Sequence, residues 1–315
     1  MRKMKLRVMS ILQRRLVSTH TSLVLAIALG SNCWFPGIGS AATLASETFE
    51  SYATGALSGQ GGGAVDGWGG NWGPSITNPR ADVVDTTSNP LVYPIPGGAT
   101  INGESNAMEV QLTGGATTAL CARRQLLTPI AETFYVGYLV RYVGTGTWAG
   151  ANNTFTLHLG TNATQSAVFN FGIRGNGDTT ANEFVLRYGT GAPVTGASTG
   201  GQVVNGTDYF LVARMNYAGG LFTSANMWLN PSAIDDVDTP SGDASLTFTA
   251  SFANPISHIF FREAVLEADD VLRADEIRIG TTWGDVVPVP EPGSVTLLSL
   301  GAAALWIFRR SHRRA

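Results

Sequence analysis

The sequence predicts an all-β fold in which two antiparallel sheets pack face to face as a sandwich. Short runs of alternating apolar and polar residues recur along the middle of the chain, and Gly, Asn and Pro separate them as turn signals. Few segments show the period of a helix. Residues 43–287, 245 in all, have a normal length for one large all-β domain.

The chain begins with the features of a secretory signal peptide. Six Lys and Arg lie within the first 15 residues, an apolar core follows at 22–29, and small residues occupy 39–42. We therefore assign residues 1–42 to an N-terminal signal helix that is removed, most simply after Ala42. This assignment predicts export across the inner membrane.

The predicted strands follow one another through the middle of the chain. The clearest is 134–142, whose alternate residues share one apolar face: Phe134, Val136, Tyr138, Val140 and Tyr142. In 155–159, Thr156 and His158 are predicted to point outward. Further strands are predicted at 168–174, 184–188, 209–215, 226–230, 246–250, 258–262 and 275–279.

The segment 55–73 is rich in Gly and contains Trp68 and Trp72. Gly loops that bind phosphate lie between a strand and a helix with a defined spacing, and neither context is present here. We interpret the segment as a long loop that the two Trp fix to the edge of the sandwich.

The last 28 residues, 288–315, have the order of a sorting tail. Pro290, Glu291 and Pro292 precede an apolar run at 295–308, and four Arg follow that run. This order resembles the bacterial PEP-CTERM sorting tail. As a helix the run would measure about 21 Å, against about 30 Å for a bilayer core, so snorkelling Arg would complete the span.

This resemblance implies that an exosortase-type enzyme processes the tail at Pro290, Glu291 and Pro292. It also implies that the short C-terminal hydrophobic helix anchors the protein transiently in the inner membrane. The protein is then expected at the cell surface or in the extracellular matrix. Exopolysaccharide is an expected partner through the association of such tails with bacteria that make these matrices.

The middle of the chain resembles a second family. Residues 47–52, 59–60, 67–72 and 275–283 are similar to parts of the concanavalin A-like, laminin-G-like jelly rolls of secreted bacterial proteins. Residues 209–214 followed by 227–231 are similar to their middle hairpin. The resemblance implies that 43–287 form one two-sheet jelly-roll domain. Lectins and glycan-cleaving enzymes both use this fold, so the fold alone does not assign a function.

The charge of this domain excludes one class of function. Residues 43–287 contain ten Arg, no Lys, and 22 Asp and Glu, which gives a formal charge of −12. A nucleic-acid groove requires a basic patch, so we expect no nucleic-acid partner. Cys121 is the only Cys of this segment, and it therefore has no partner for an internal disulfide.

Hydrolysis of a glycan requires two carboxylates beside the scissile bond. In the glucanases that the fold resembles, these belong to a Glu-x-Asp-x-x-Glu strand. The nearest stretch here offers Glu267 and Asp269, but Leu272 replaces the third carboxylate. Asp275 and Glu276 are adjacent and would face opposite sides of a strand. We therefore expect that the protein is not an enzyme.

A polysaccharide lyase would require a Tyr or His base together with Arg or Lys. His158 and Arg174 are the candidates for these roles, although each is better explained as an ordinary outward residue of a strand. This alternative stays open beside the hydrolase alternative.

The Trp residues are candidates for binding a sugar. Trp68, Trp72 and Trp148, with Trp228 as a further candidate, could stack on sugars, although Trp is more often found in the core.

Asp236, Asp238 and Asp243 are weak candidates for a calcium site, because Ca²⁺ prefers six to eight oxygen ligands. A solvated acidic loop explains them more simply. We expect no metal and no cofactor.

The leading hypothesis is a secreted, surface-sorted bacterial protein that acts as a non-catalytic structural or adhesive component of the envelope or exopolysaccharide matrix. A glycan-binding, lectin-like module is the first alternative. A glycan-active hydrolase or lyase is the second.

Overall fold

The structure, a computed structural model, describes residues 43–61, 66–73, 81–111, 119–144, 154–163, 167–175, 182–188, 195–198, 203–238, 242–264 and 270–288. The predicted signal helix and C-terminal hydrophobic helix lie outside these ranges. Within them, none of the helices has the length and apolar character needed to cross a bilayer.

The described residues form strands and two single-turn helices. The strands are β1 (Thr43–Glu47), β2 (Gly55–Ala56), β3 (Ala81–Asp85), β4 (Leu91–Pro94), β5 (Thr100–Gly103), β6 (Asn106–Gln111), β7 (Ala119–Ile130), β8 (Phe134–Gly144), β9 (Thr154–Gly160), β10 (Ala167–Gly175), β11 (Asn182–Tyr188), β12 (Thr195–Ser198), β13 (Asp208–Ala218), β14 (Leu221–Leu229), β15 (Ala244–Phe252), β16 (Ile256–Ala264) and β17 (Asp270–Gly280). The helices are α1 (Asp235–Asp238) and α2 (Trp283–Val286).

The strands form two main sheets and one hairpin, with antiparallel neighbours throughout. One sheet has the order β15-β14-β13-β8-β17-β6-β3-β2, with β1 also paired to β17, which gives nine strands. The other has six strands in the order β12-β11-β10-β9-β16-β7. Strands β4 and β5 pair separately. The predicted all-β, two-sheet antiparallel jelly-roll sandwich is confirmed.

The main hydrophobic core lies between the two large sheets. The alternate residues predicted to share a face of β8 all belong to it, as do Phe169, Phe171 and Ile173 of β10. Tyr138 of β8 joins the sheets, because its hydroxyl donates to the carbonyl oxygen of Phe171 at 3.2 Å and its ring meets that of Phe171 edge-on. The prediction of period-2 alternation is therefore confirmed in both sheets.

A second apolar cluster covers the outer face of the nine-stranded sheet. Tyr135, Leu139 and Phe210 point away from the main core, and the β4–β5 hairpin and α2 pack over them. The Trp283 ring of α2 meets that of Trp228 at 5.1 Å. This face of the sheet is therefore occupied by the chain itself.

A buried ion pair links the two large sheets. Glu47 ends β1 of the nine-stranded sheet, and Arg124 lies on β7, at the edge of the six-stranded sheet. Both side chains are at most 5% exposed. The Glu47 carboxylate also accepts hydrogen bonds from the Trp72 indole and the Tyr52 hydroxyl. Burial, followed by the Glu47 charge, raises the pKa of Tyr52 and keeps this donor protonated.

The Gly-rich segment covers the open edge of β7. Gly69 N donates to Gln125 O at 2.9 Å, and Leu127 N donates to Gly67 O at 2.8 Å. Gly67 has φ +84°, and a Cβ there would lie 1.7 Å from the Leu44 carbonyl oxygen, so only Gly fits. The predicted loop at the sandwich edge is confirmed, and it protects an edge strand from pairing with other chains.

Removing one partner of the buried pair is expected to destabilise the fold strongly. Arg124→Met leaves the Glu47 carboxylate buried without its cation, which costs about 3–5 kcal/mol in the free energy of unfolding. Urea denaturation measures this loss. The double variant Glu47→Gln/Arg124→Met removes both charges and should recover part of it.

The matched control is Arg273→Met. Arg273 pairs with Glu109 at 2.9 Å, but both side chains keep about a fifth of their surface exposed. Because solvent screens such a pair, the loss should be about 1 kcal/mol or less. Equal losses for Arg124→Met and Arg273→Met would contradict the special role of the Glu47–Arg124 pair.

Candidate functional site

The outer face of the six-stranded sheet is the broad face that neither apolar cluster covers. The main core packs against its inner face through residues such as Leu157, Phe171 and Phe261. The alternate residues of the same strands point the other way and are largely polar. We call this outer surface the arginine face, and define it by these residues: Arg123, Thr156, His158, Asn170, Arg174, Arg187, Phe260 and Arg262.

The strand register aligns five of these residues in one row across five strands. Phe260 pairs with Arg123 on one side and His158 on the other, and Asn170 pairs with both His158 and Arg187. With strands about 4.8 Å apart, the row is about 19 Å long. Arginine therefore stands at both ends, with hydrogen-bonding groups and one aromatic ring between them.

The neighbouring rows add two further cations. Arg262 pairs with Thr156, one row from His158, and Arg174 pairs with Glu183 at the next row. Burial, followed by the charges of Arg174 and Arg262, lowers the pKa of Arg187. The three guanidinium groups therefore lie close enough to repel one another, which creates a positive region in an acidic domain.

His158 is a neutral group at the centre of this region. Burial, followed by the charges of Arg262 and Arg187, lowers its pKa to about 3. Its Nε2 lies 2.8 Å from Thr156 Oγ1 and shares a hydrogen bond with it. His158 points outward as predicted, but it is only 6% exposed, so it belongs to the floor of the face.

Asn170 is the polar group on this floor that lacks a hydrogen-bond partner for its oxygen. The residue is 4% exposed, and in the described structure its Oδ1 accepts no hydrogen bond. A buried acceptor without a donor costs stability, so such groups are uncommon unless a ligand or water satisfies them. The amide therefore marks a position where a ligand donor would gain a bond.

The structure places the candidate stacking residues elsewhere. Trp68 and Trp72 are each 1% exposed, and Arg124 lies over both rings, 4.8 Å from the centroid of Trp68. Trp228 is buried in the second cluster. These three rings therefore do not offer a face for stacking on a sugar, because cation–π contacts and core packing occupy them. Trp148 lies outside the described residues.

Two of the three candidate calcium ligands, Asp236 and Asp243, accept hydrogen bonds from other parts of the fold. Asp236 accepts hydrogen bonds from Arg214 and the Tyr135 hydroxyl, at 2.8 and 3.0 Å. Asp243 accepts one from Leu229 N at 2.7 Å, and Asp238 ends α1. Across the part of the chain that the structure describes, no group of three or more His, Cys, Asp or Glu is arranged to hold a metal ion.

Of the acidic residues considered for hydrolysis, the structure describes Asp275 and Glu276, and both lie on β17 of the nine-stranded sheet, not on the arginine face. Glu267 and Asp269 lie outside the described residues. Glu276 adopts φ +52° and pairs with Arg278 at 2.6 Å, next to a bulge in β17. Asp275 is fully buried, and burial, aided by the charges of Glu276 and other carboxylates, raises its pKa to about 9.

Sequence reasoning identified His158 and Arg174 but missed Asn170, Arg187 and Arg262. Each of the three occupies an outward position of a strand that alternates recognisably, such as Asn170 between Phe169 and Phe171. Alternation gives the direction of each side chain. It does not give the order of strands across the sheet, and that order brings these residues together.

Comparison with protein families finds one match, in the tail. The PEP-CTERM protein-sorting motif matches residues 288–314. The sorting tail recognised in the sequence is therefore confirmed, although Pro290, Glu291 and Pro292 lie outside the described residues. The motif indicates export, membrane anchoring before processing, and recognition by an exosortase-type enzyme. No curated protein matches the sequence.

Several solved structures are similar to this chain. The endo-β-1,4-glucuronan lyase of the fungus Trichoderma reesei has 12% identity and a TM-score of 0.43, covering 72% of this chain and 96% of its own. Cellulose induced protein Cip1 has 18% identity, a TM-score of 0.42, and coverages of 75% and 97%. A carbohydrate esterase of the Shiga toxin-encoding bacteriophage phi24B has 12% identity and a TM-score of 0.42, covering 76% of this chain and 99% of its own. Identities this low transfer no activity to this chain.

The buried Asp275 should make stability depend on pH. The native state holds a proton on this carboxyl up to about pH 9, whereas the unfolded chain releases it near 3.8. This contribution is complete below 3.8 and is lost as pH rises to about 9, by at most about 1.4 kcal/mol per pH unit. Asp275→Asn should remove this slope and raise stability at alkaline pH, as measured by urea denaturation across a pH series.

The same substitution at the exposed Asp66 is the control, and it should keep the slope of the native protein. If Asp275→Asn retained the full slope, the Asp275 carboxyl would not be the group responsible.

Proposed function

From a sorting tail that marks a secreted, surface-sorted protein, we propose that the domain is a non-catalytic, adhesive component of the cell surface or its matrix. We propose further that it holds glycan on the arginine face. The hypotheses of an adhesive component and of a glycan-binding module then describe one protein. The observation that carries the proposal is the row of Arg123, Phe260, His158, Asn170 and Arg187, which runs across five strands on the sheet face that neither apolar cluster includes.

The chemistry of that row suits a sugar chain. Arginine and asparagine donate to hydroxyl and ring oxygens, and the unpaired Oδ1 of Asn170 accepts from a hydroxyl. The spacing of neighbouring strands is close to the length of one sugar residue, so an extended glycan could meet successive strands. A row of donors and acceptors on a rigid sheet binds such a chain with little loss of protein entropy.

The non-catalytic part of the proposal rests on charge and protonation. Within the described residues, Glu183 is the acidic group that shares a row with the arginine face, and it faces Arg174 at 3.8 Å. One carboxylate does not provide the acid and base that hydrolysis requires. With its pKa lowered to about 3, His158 is a weak base for removing a proton from a sugar carbon.

A lyase is the second candidate, and one observation favours it. His158 lies among Arg187, Arg262 and Asn170, and a lyase acting on acidic glycans would use these residue types to neutralise a carboxylate and remove a proton. The weak basicity of His158 argues against the proton transfer. Release of unsaturated sugar ends, which absorb in the ultraviolet, would establish the lyase and refute the non-catalytic proposal.

The last residues before the sorting tail are fixed to the folded domain. Val286 and Val287 are fully buried, and Ala99 N donates to Pro288 O at 3.1 Å. Glu291 follows Pro288 by three residues and Val295 follows it by seven, and chain segments of these lengths reach at most about 11 and 25 Å when fully extended. Until the tail is processed, the short tether keeps this side of the domain close to the bilayer.

The sorting role predicts that Glu291→Ala leaves the protein unprocessed in the inner membrane, because the variant alters the motif that the enzyme recognises. Mass spectrometry and cell fractionation measure the outcome. The exposed Glu132 provides the control, since Glu132→Ala should leave processing unchanged. Normal mass and location of Glu291→Ala would refute the sorting role.

The glycan-binding role predicts that the full-length chain, purified in mild detergent, binds at least one polysaccharide on an array. Asn170→Leu should weaken this binding about three- to tenfold, the worth of one lost hydrogen bond. It should leave the melting temperature equal or higher, because a buried unsatisfied acceptor disappears.

Asn102→Leu, on the separate β4–β5 hairpin, is the control for a general effect of this substitution and should bind normally. A flat array, or full affinity of Asn170→Leu, would count against glycan binding by the arginine face.

A further inference from the structure

We propose that the arginine face is a binding site for acidic polysaccharides, in which Arg187, Arg262 and Asn170 form a subsite for a carboxylate-bearing sugar. This inference rests on the proposed function and names the chemical class of its ligand. A neutral glycan would use the hydroxyl contacts of this face and would bring no anion to Arg187 and Arg262.

The pairing of the arginines separates this face from the rest of the domain. Nine Arg of the domain lie in the described residues, and five of them form close ion pairs with a carboxylate: Arg124, Arg141, Arg214, Arg273 and Arg278. The other four lie on the arginine face. Among these, the described ion pairs include only Arg174, at 3.8 Å from Glu183.

This distribution is unusual for a domain with 22 acidic residues and ten Arg. With so many carboxylates available, placing Arg187 and Arg262 near each other costs free energy through repulsion, and partial burial of Arg187 adds to that cost. An anion between the guanidinium groups would offset both. Guanidinium binds carboxylate through two parallel hydrogen bonds, so a planar carboxylate fits this position well.

Asn170 points independently to a sugar that carries this anion. It is 4% exposed, it pairs with Arg187 across β10 and β11, and its Oδ1 accepts no hydrogen bond in the described structure. Chloride and sulfate have no donor for this oxygen. A uronic acid offers both a carboxylate for the arginines and hydroxyl donors for the amide.

The length of the face indicates a polymer. Arg123 stands about 19 Å from Arg187 along the row, at the far edge of the sheet. Its Nη1 donates to Ala163 O at 2.7 Å, which leaves other donors of the guanidinium group for a ligand. Cations at both ends of the row suit a chain that repeats its charge, as a polyuronate does.

The test measures binding of the full-length chain, in mild detergent, to polygalacturonate and to the same polymer after its carboxyl groups have been reduced to alcohols. The native protein should bind the acidic polymer and should lose about tenfold or more in affinity for the reduced one. Dextran sulfate, added as a third ligand, distinguishes a preference for carboxylate from a response to any polyanion.

Arg187→Gln and Arg262→Gln should each weaken binding to polygalacturonate about tenfold and reduce its dependence on salt. Arg278→Gln is the matched control: it removes the same charge from a partly exposed residue of the nine-stranded sheet and should bind normally. Melting temperatures of all three variants verify folding.

The pH dependence provides a separate readout. Arginine stays charged at all relevant pH values, and His158, with its pKa lowered to about 3, stays neutral above that pH. Affinity should therefore be constant near neutrality and should fall only below about pH 4, where the carboxyl groups of the ligand become protonated.

The outcomes separate this inference from the proposed function. Equal binding of the native protein to the acidic and the reduced polymer would overturn the inference and leave glycan binding intact. Equal or tighter binding of dextran sulfate would overturn the preference for carboxylate. Loss of melting temperature in Arg187→Gln without loss of affinity would identify the cations as structural and overturn the subsite. No binding to any glycan would overturn both proposals.

Discussion

The buried ion pair between Glu47 and Arg124 is the constraint on which the arrangement of the two sheets depends. Glu47 belongs to a strand paired with β17, near the middle of the nine-stranded sheet, and Arg124 belongs to the edge strand β7 of the six-stranded sheet. Both side chains are at most 5% exposed, so each charge depends on the other for its stabilisation. Tyr52 and Trp72 complete the hydrogen bonds of Glu47, which ties the Gly-rich loop to the same point.

The same pair fixes how β7 presents its neighbouring arginine. Arg123 and Arg124 are consecutive, so they point to opposite faces of the sheet. Because Arg124 points inward to Glu47, Arg123 points outward, where it pairs with Phe260 at the end of the arginine row. A shift of β7 by one residue would place either Gln125 opposite Glu47 or Ala122 at the end of the row. Either the ion pair or the row would then lose its charge. The contact that joins the sheets therefore also sets part of the candidate site.

The domain distributes its few cations in two ways. Five of the described Arg form close ion pairs with carboxylates, and these pairs connect strands and loops. Four Arg gather on the one broad sheet face that no apolar cluster covers. The negative charge of the remaining surface keeps exported copies apart and repels other anions, so an acidic ligand would be guided to this face. The proposed binding of glycan therefore uses side chains that the strands of the sandwich already place on an outer sheet face.

The sequence by itself determined the destination of the protein and the class of its fold. Contiguous features carry both: the tail is a linear motif, and alternation within one strand, as in 134–142, predicts which side chains enter the core. Alternation also predicted that His158 points outward. The partners of His158 depend on strand order, which places Asn170, Arg187 and Arg262 beside it from three other strands. Only the tertiary structure decided that juxtaposition and the burial of Trp68 and Trp72, because both arise from contacts between residues far apart in the chain.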